Sequence, residues 1–157
     1  MFEVAVHDLL AYLWSPPLRK PQSQVRTVSG QDRRDLVFPL DPGASPIWDR
    51  IRQLAPLAPF LCVEIKNYGT TRVGKLAVDQ LADYLTDPIG KLGILVWRGT
   101  LSSSASRRAN TRWCHDRRVV LFVGVRDLTE MCDIAGRGDD PAVLVRDKLE
   151  LFNMQVE

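Results

Sequence analysis

Asp35, Glu64 and Lys66 are the residues whose types and spacing could do chemistry. Glu64 and Lys66 end the run Phe60-Leu61-Cys62-Val63-Glu64-Ile65-Lys66-Asn67, which otherwise reads as a buried strand. Side chains alternate along a strand, so Glu64 and Lys66 point the same way and Ile65 points to the opposite face. Charges at the end of a core strand are unfavourable unless they are paired or hold a metal. Upstream, Arg33-Arg34-Asp35-Leu36-Val37-Phe38 reads as a second strand that opens with another carboxylate. An Asp followed about thirty residues later by Glu-x-Lys on an apolar strand is the pattern of a metal-dependent phosphodiesterase centre. Glu-x-Lys by itself is a common tripeptide, and its plain reading is an inert ion pair at a strand end. The order of the elements around it carries the argument.

Those elements are legible from periodicity. Phe2, Val6, Leu9, Leu10 and Leu13 recur at helical spacing, which predicts a helix over 2–14 stopped by Ser15-Pro16-Pro17. Strands are expected at 24–28 and 34–39, joined as a hairpin through a turn at 29–32. A short helix follows at 47–54, then the strand 60–67 that bears Glu64 and Lys66. A loop over 69–74 leads to a helix at 75–86 whose core face is Ala77, Leu81 and Leu85. Next come a strand at 92–98, a basic helix at 101–112 and a strand at 119–125. That last strand is almost wholly apolar, which places it centrally in a sheet covered on both faces. Helices at 128–134 and 141–153 close the chain. Helices alternating with later strands make this an α/β sandwich with a mixed sheet and crossover connections.

The 157 residues, 45% hydrophobic and 25% charged, suffice for one core and are read as a single domain over 1–157, one that could have been cut from a longer chain. The net charge of +2 does not by itself announce nucleic acid, but the distribution is uneven. Lys91 to Arg118 holds seven Lys or Arg against one acid, whereas Asp127 to Glu157 holds eight acids against three bases. Three widely spaced cysteines, with no C-x-x-C, indicate neither a zinc knuckle nor a disulfide framework and favour a reducing, cytoplasmic setting. No apolar run approaches the length needed to span a bilayer, so no membrane partner is expected. The chain has no G-x-S-x-G and no G-x-x-x-x-G-K-[ST], so neither a serine hydrolase elbow nor a P-loop is encoded.

With these residues in order, the chain resembles the PD-(D/E)xK nuclease superfamily of restriction-endonuclease-like fold, most closely its Mrr-like branch. Asp35 matches the first acidic position, although Arg34 and not Pro precedes it. Glu64-Ile65-Lys66 matches the (D/E)xK element, and Gln80 with Tyr84 matches the Q-x-x-x-Y element of several branches. Phe2-Glu3 on the opening helix is similar to the first helix of the family, whose Glu can join the active site. The resemblance covers nearly the whole chain. It implies a three-layer sandwich with a central mixed sheet flanked by helices. It also implies a Mg²⁺-dependent endonuclease acting on DNA in restriction, defence or repair.

On that resemblance, Asp35, Glu64, the backbone carbonyl of Ile65 and, more weakly, Glu3 would hold Mg²⁺, with Mn²⁺ able to take its place. Lys66 would position the attacking water or stabilise charge as it develops. Gln80 and Tyr84, one helical turn apart, either contact phosphate and the metal site or serve as a surface amide and a core phenol. Arg33 and Arg34 beside Asp35, and Arg107, Arg108 and Arg112 on the basic helix, are candidates for phosphate contacts. A solvated basic helix is the competing reading. His7 reads as structural, and the four Trp mainly as core. The alternative function is a catalytically silent module of the same fold that binds nucleic acid or a partner protein. A homodimer, or further domains of a longer protein, is a further expectation, since a single site cuts one strand.

Overall fold

The sheet is built outward from the two strands that carry the charges. The structure, a computed structural model, describes residues 1–26, 28–30, 33–55, 58–68 and 72–156, with the side chain of Arg33 outside the description. Among the described residues there are five strands: β1 (Gln22–Arg26), β2 (Arg33–Pro39), β3 (Phe60–Asn67), β4 (Leu92–Arg98) and β5 (Val119–Gly124). They form one mixed sheet in the order β1-β2-β3-β4-β5. β1, β2 and β3 pair antiparallel; β3, β4 and β5 pair parallel.

The six helices are α1 (Phe2–Trp14), α2 (Pro46–Leu54), α3 (Lys75–Tyr84), α4 (Ser103–Asp116), α5 (Val125–Gly136) and α6 (Val143–Gln155). α3 and α4 are the crossovers that parallel pairing demands, and both pack on one face of the sheet. The opposite face, carrying Leu36, Val63, Ile65, Ile94 and Leu121, is covered by α1, α2, α5 and α6. The result is an α/β sandwich with helices on both faces. No helix among the described residues is long and apolar enough to cross a membrane.

Local chemistry sets the element ends. Ser45 caps α2 by accepting the Trp48 N–H at 3.1 Å, with Pro46 pre-set as the first helical residue. Ser102 caps α4 through the Ser104 N–H at 3.2 Å. Gly93 allows α3 to press onto the sheet, because a Cβ there would stand 3.1 Å from Leu81.

Several boundaries differ from expectation. β1 lies two residues earlier than 24–28, held there by its register, Gln22 opposite Val37 and Arg26 opposite Arg33. Gln31 and Asp32 of the expected turn, and residues 69–71 of the expected loop, are outside the described residues. α3 stops at Tyr84 rather than 86, and α4 runs on to Asp116. α5 starts directly after β5, at Val125 rather than 128, with Gly124 as the pivot whose N–H is taken by Asp127 at 2.8 Å.

The larger correction concerns β5, which is an end strand and not a central one. It is covered on both faces, Val119, Leu121 and Val123 on one side and Val120 on the other. α4 and α6 belong to opposite layers, yet Trp113 of α4 meets Phe152 of α6 edge to face at 6.0 Å. Helices on opposite faces can touch only around the end of a sheet. Beside this aromatic pair, Val120, Leu121 and Phe122 of β5 line a groove of about 650 Å³ between the same two helices.

A carboxylate pair between two strands

β2 and β3 part company at the site. Their ladder ends at the Leu36–Val63 pair, and one step further along each strand stand Asp35 and Glu64. There the Asp35 side chain does what a backbone carbonyl would have done: its Oδ2 accepts the Ile65 N–H at 2.8 Å. On the other side, Gln24 of β1 reaches Asp35 Oδ1 at 3.4 Å, from a backbone with φ of 54° that a non-glycine residue seldom adopts. Asp35 is thereby pinned between β1 and β3.

Glu64 is 5% exposed and is the buried charged residue among those described. Its neighbour on β4 is Leu95, on the α3–α4 face of the sheet. Burial, and then the nearby Asp35 carboxylate, push its pKa up to about 7. Lys66 opposes this, with Nζ 2.9 Å from Glu64 Oε1. Burial works against the Lys66 ammonium, yet the Glu64 carboxylate holds its pKa above the ordinary lysine value. Lys66 also donates to Gln80 Oε1 at 2.7 Å, and Gln80 Nε2 donates to the Tyr84 hydroxyl at 3.2 Å. The two ends of the Gln80 amide thus have different partners, which orients it. Gln80 and Tyr84 are joined to the site through Lys66, a role in which both of the readings opened by the sequence share.

One atom stands out. Glu64 Oε2 is buried and has no hydrogen-bond partner, while Oε1 has the Lys66 ammonium. An orphaned carboxylate oxygen beside a second carboxylate suits a hard divalent cation, which prefers oxygen donors. Among the described residues no group of three or more His, Cys, Asp or Glu converges. Asp35 and Glu64 would therefore supply two donors, with backbone and water completing the set, the habit of Mg²⁺ more than of zinc. Cys62 lies one step inward on the same face, but burial pushes its thiol up to about 12, so it offers no thiolate.

The remaining candidates fare differently. Glu3 lies on α1, which packs on the opposite face of the sheet, and Glu3 makes no contact with Asp35 or Glu64. Its helix placed it by resemblance, and the sheet separates it from the pair. Arg34 donates to the Tyr84 carbonyl at 3.0 Å, its guanidinium 5.9 Å from the centre of the Tyr84 ring, so it braces β2 against the end of α3. The side chain of Arg33, on β2, lies outside the description. Arg108 and Arg112 are not free for phosphate. Arg108 binds Asp79 at 2.6 Å, and Arg112 binds Asp79 at 3.2 Å, Asp83 at 2.8 Å and Asp116 at 3.1 Å. These pairs lock α4 to α3. Arg107, one residue before Arg108, lines a groove of about 650 Å³ between α4 and α6. The basic helix is therefore not one phosphate-binding face. Other exposed cations are Arg72 and Lys75, on the segment entering α3, and Arg98, the last residue of β4 and the register partner of Asn67.

No family model matches this chain, and no curated protein or solved structure matches it.

Proposed function

We propose that the chain is a metal-dependent endonuclease of restriction-endonuclease-like fold that hydrolyses phosphodiester bonds of DNA. The observation that carries the reading is the pairing of Asp35 with a buried Glu64 whose one free oxygen has no donor, beside a Lys66 held by Glu64 and Gln80. A buried carboxylate with a second carboxylate beside it is costly to a fold that has no use for it. Mg²⁺ or Mn²⁺ held by Asp35 and Glu64 would polarise a phosphoryl oxygen and acidify a bound water. The residues of the chain do the rest. Asp35 is fixed by the Ile65 N–H at one oxygen and the Gln24 amide at the other, and each oxygen keeps a lone pair for a cation. The Lys66 ammonium stands where charge develops on the phosphoryl group, and Gln80 limits its motion. Arg72, Lys75 and Arg98 supply sequence-independent attraction to the backbone of the nucleic acid. Recognition of a particular target sequence then belongs to another domain or partner.

The test is direct. Supercoiled plasmid incubated with the protein and Mg²⁺ or Mn²⁺ should be nicked or cut, and EDTA should stop it. Glu64→Ala should be inactive at equal protein. Cleavage that persists in EDTA, or in Glu64→Ala, would remove this pair from the chemistry.

A further inference from the structure

The strand beside Lys66 carries an aromatic ring at the same level. Lys66 of β3 is the register partner of Trp97 of β4, so the two side chains leave the same face one strand spacing apart, about 4.8 Å. The next partner along the sheet is Gly124 of β5, and there the missing side chain matters. A Cβ on Gly124 would stand 2.9 Å from Cη2 and Cζ2 of the indole. The glycine lets the ring lie down over the end of β5. Phe122 supports it edge-on at 6.4 Å, and the Trp97 Nε1–H is tied to the Gly99 carbonyl at 3.2 Å. The ring is braced from below and at its edge, yet it is only half-buried. Its remaining surface lines a groove of about 490 Å³ together with Gly99, Val125, Arg126, Asp127 and Glu130, Asp127 being paired with Lys148 at 3.2 Å. Trp14 and Trp48, by contrast, are completely buried.

We propose that Trp97 is a stacking platform for an unpaired nucleobase next to the phosphate cut at Asp35, Glu64 and Lys66, so that the substrate is a single strand or a frayed strand end. The inference rests on the nuclease reading and narrows its substrate. A phosphate at Lys66 brings the base of the adjoining nucleotide across β4 toward the indole, which leaves β4 and lies over the end of β5. Both faces of a base inside a duplex are covered by its neighbours, and only a base out of the stack can offer one to a tryptophan. Arg126, exposed at the rim of the groove, is available to the next phosphate.

The experiment reads the ring itself. In a Trp113→Phe background, Trp97 is the indole left with exposed surface, because Trp14 and Trp48 are buried. This protein is titrated in EDTA with a single-stranded oligonucleotide, an abasic strand of the same length and a blunt duplex. Binding is followed in parallel by anisotropy of a label on the DNA. The single strand should quench indole emission with the same midpoint as the anisotropy, and the abasic strand and the duplex should not quench. Trp97→Leu should weaken single-strand binding about tenfold, the loss of one stacked base, and leave duplex binding unchanged. Trp97→Phe, which keeps an aromatic face and needs no change at Gly124, should retain most of the affinity. Single-strand binding with no change in emission, equal quenching by all three ligands, or no binding at all would overturn the proposal. The nuclease reading fails separately: quenching by single strands without cleavage in Mg²⁺ or Mn²⁺ would leave the platform and remove the reaction.

Discussion

Glu64 pulls the fold and the site in opposite directions. Its pKa lies near 7 against an ordinary value of 4.5, so the folded chain holds the proton more tightly than the unfolded chain does. A raised carboxyl contributes most stability at low pH. That contribution fades as pH rises from about 4.5 to about 7 and is gone above it. The difference is on the order of 3 kcal/mol. Glu64→Gln keeps the shape and removes the titration. It should melt close to the wild type at pH 5 and clearly above it at pH 8, by roughly 5 °C or more for a chain of this size. Equal melting temperatures at both pH values would mean that Glu64 is not held against its charge. Lys66 separates binding from reaction at the same scale. Lys66→Ala should abolish cleavage while leaving affinity for DNA within a few fold, because the ammonium is assigned to charge that develops in the transition state. A variant that cuts at the wild-type rate would show that the Glu64–Lys66 pair is structural.

At the scale of elements, the α3–α4 contact is an ionic clamp and not a nucleic-acid surface. The Arg112 side chain is 11% exposed and shared by Asp79, Asp83 and Asp116, and burial notwithstanding, Arg108 and Arg112 hold the Asp79 carboxyl below its usual range. Arg112→Ala removes the cation that Asp79, Asp83 and Asp116 share, but Arg108 still holds Asp79 and Arg118 still holds Asp83 and Asp116, so it should destabilise the protein by about 1 kcal/mol in urea unfolding. Salt dependence of DNA binding should be unchanged, whereas losing a phosphate contact would lower the slope by about one unit. The clamp was hidden in the sequence because a count of charges along α4 does not see the acids that α3 presents to it. β3 and β4, in contrast, were legible to the residue. Each is an apolar run that ends in polar residues, and β3 follows Pro59. The Asp35–Glu64–Lys66 convergence was legible for the same reason, alternation on β3 plus a hairpin that returns beside it. The place of β5 was not. Apolarity on successive residues reports that both faces are covered, and it is silent about whether another strand or an open groove lies beyond the edge. Trp97 was read as core because Gly124, which makes room for its ring, lies twenty-seven residues away in the chain.

Over the whole molecule, the pair sits where the sheet changes from antiparallel to parallel, β3 being antiparallel to β2 and parallel to β4. Asp35 and Glu64 therefore come from strands whose relative position exists only in the folded chain, since Asp35 reaches β3 through the hairpin and Glu64 through the sheet core. A cation bound between them binds the native state and not the unfolded one, and must stabilise the entire fold by mass action. With Mn²⁺ at about ten times its dissociation constant the gain is about 1.4 kcal/mol, or roughly 3–5 °C in melting temperature for a chain of this length. The gain should be larger at pH 8 than at pH 6, because Glu64 must surrender its proton to become a ligand. Glu64→Ala should abolish the shift. Arg112→Ala, which weakens the fold on α4, should melt lower and still gain the same increment from the metal. An increment absent from the wild type, or equal in Glu64→Ala, would mean that the orphaned Glu64 oxygen is no metal donor and that the carboxylate pair serves only Lys66.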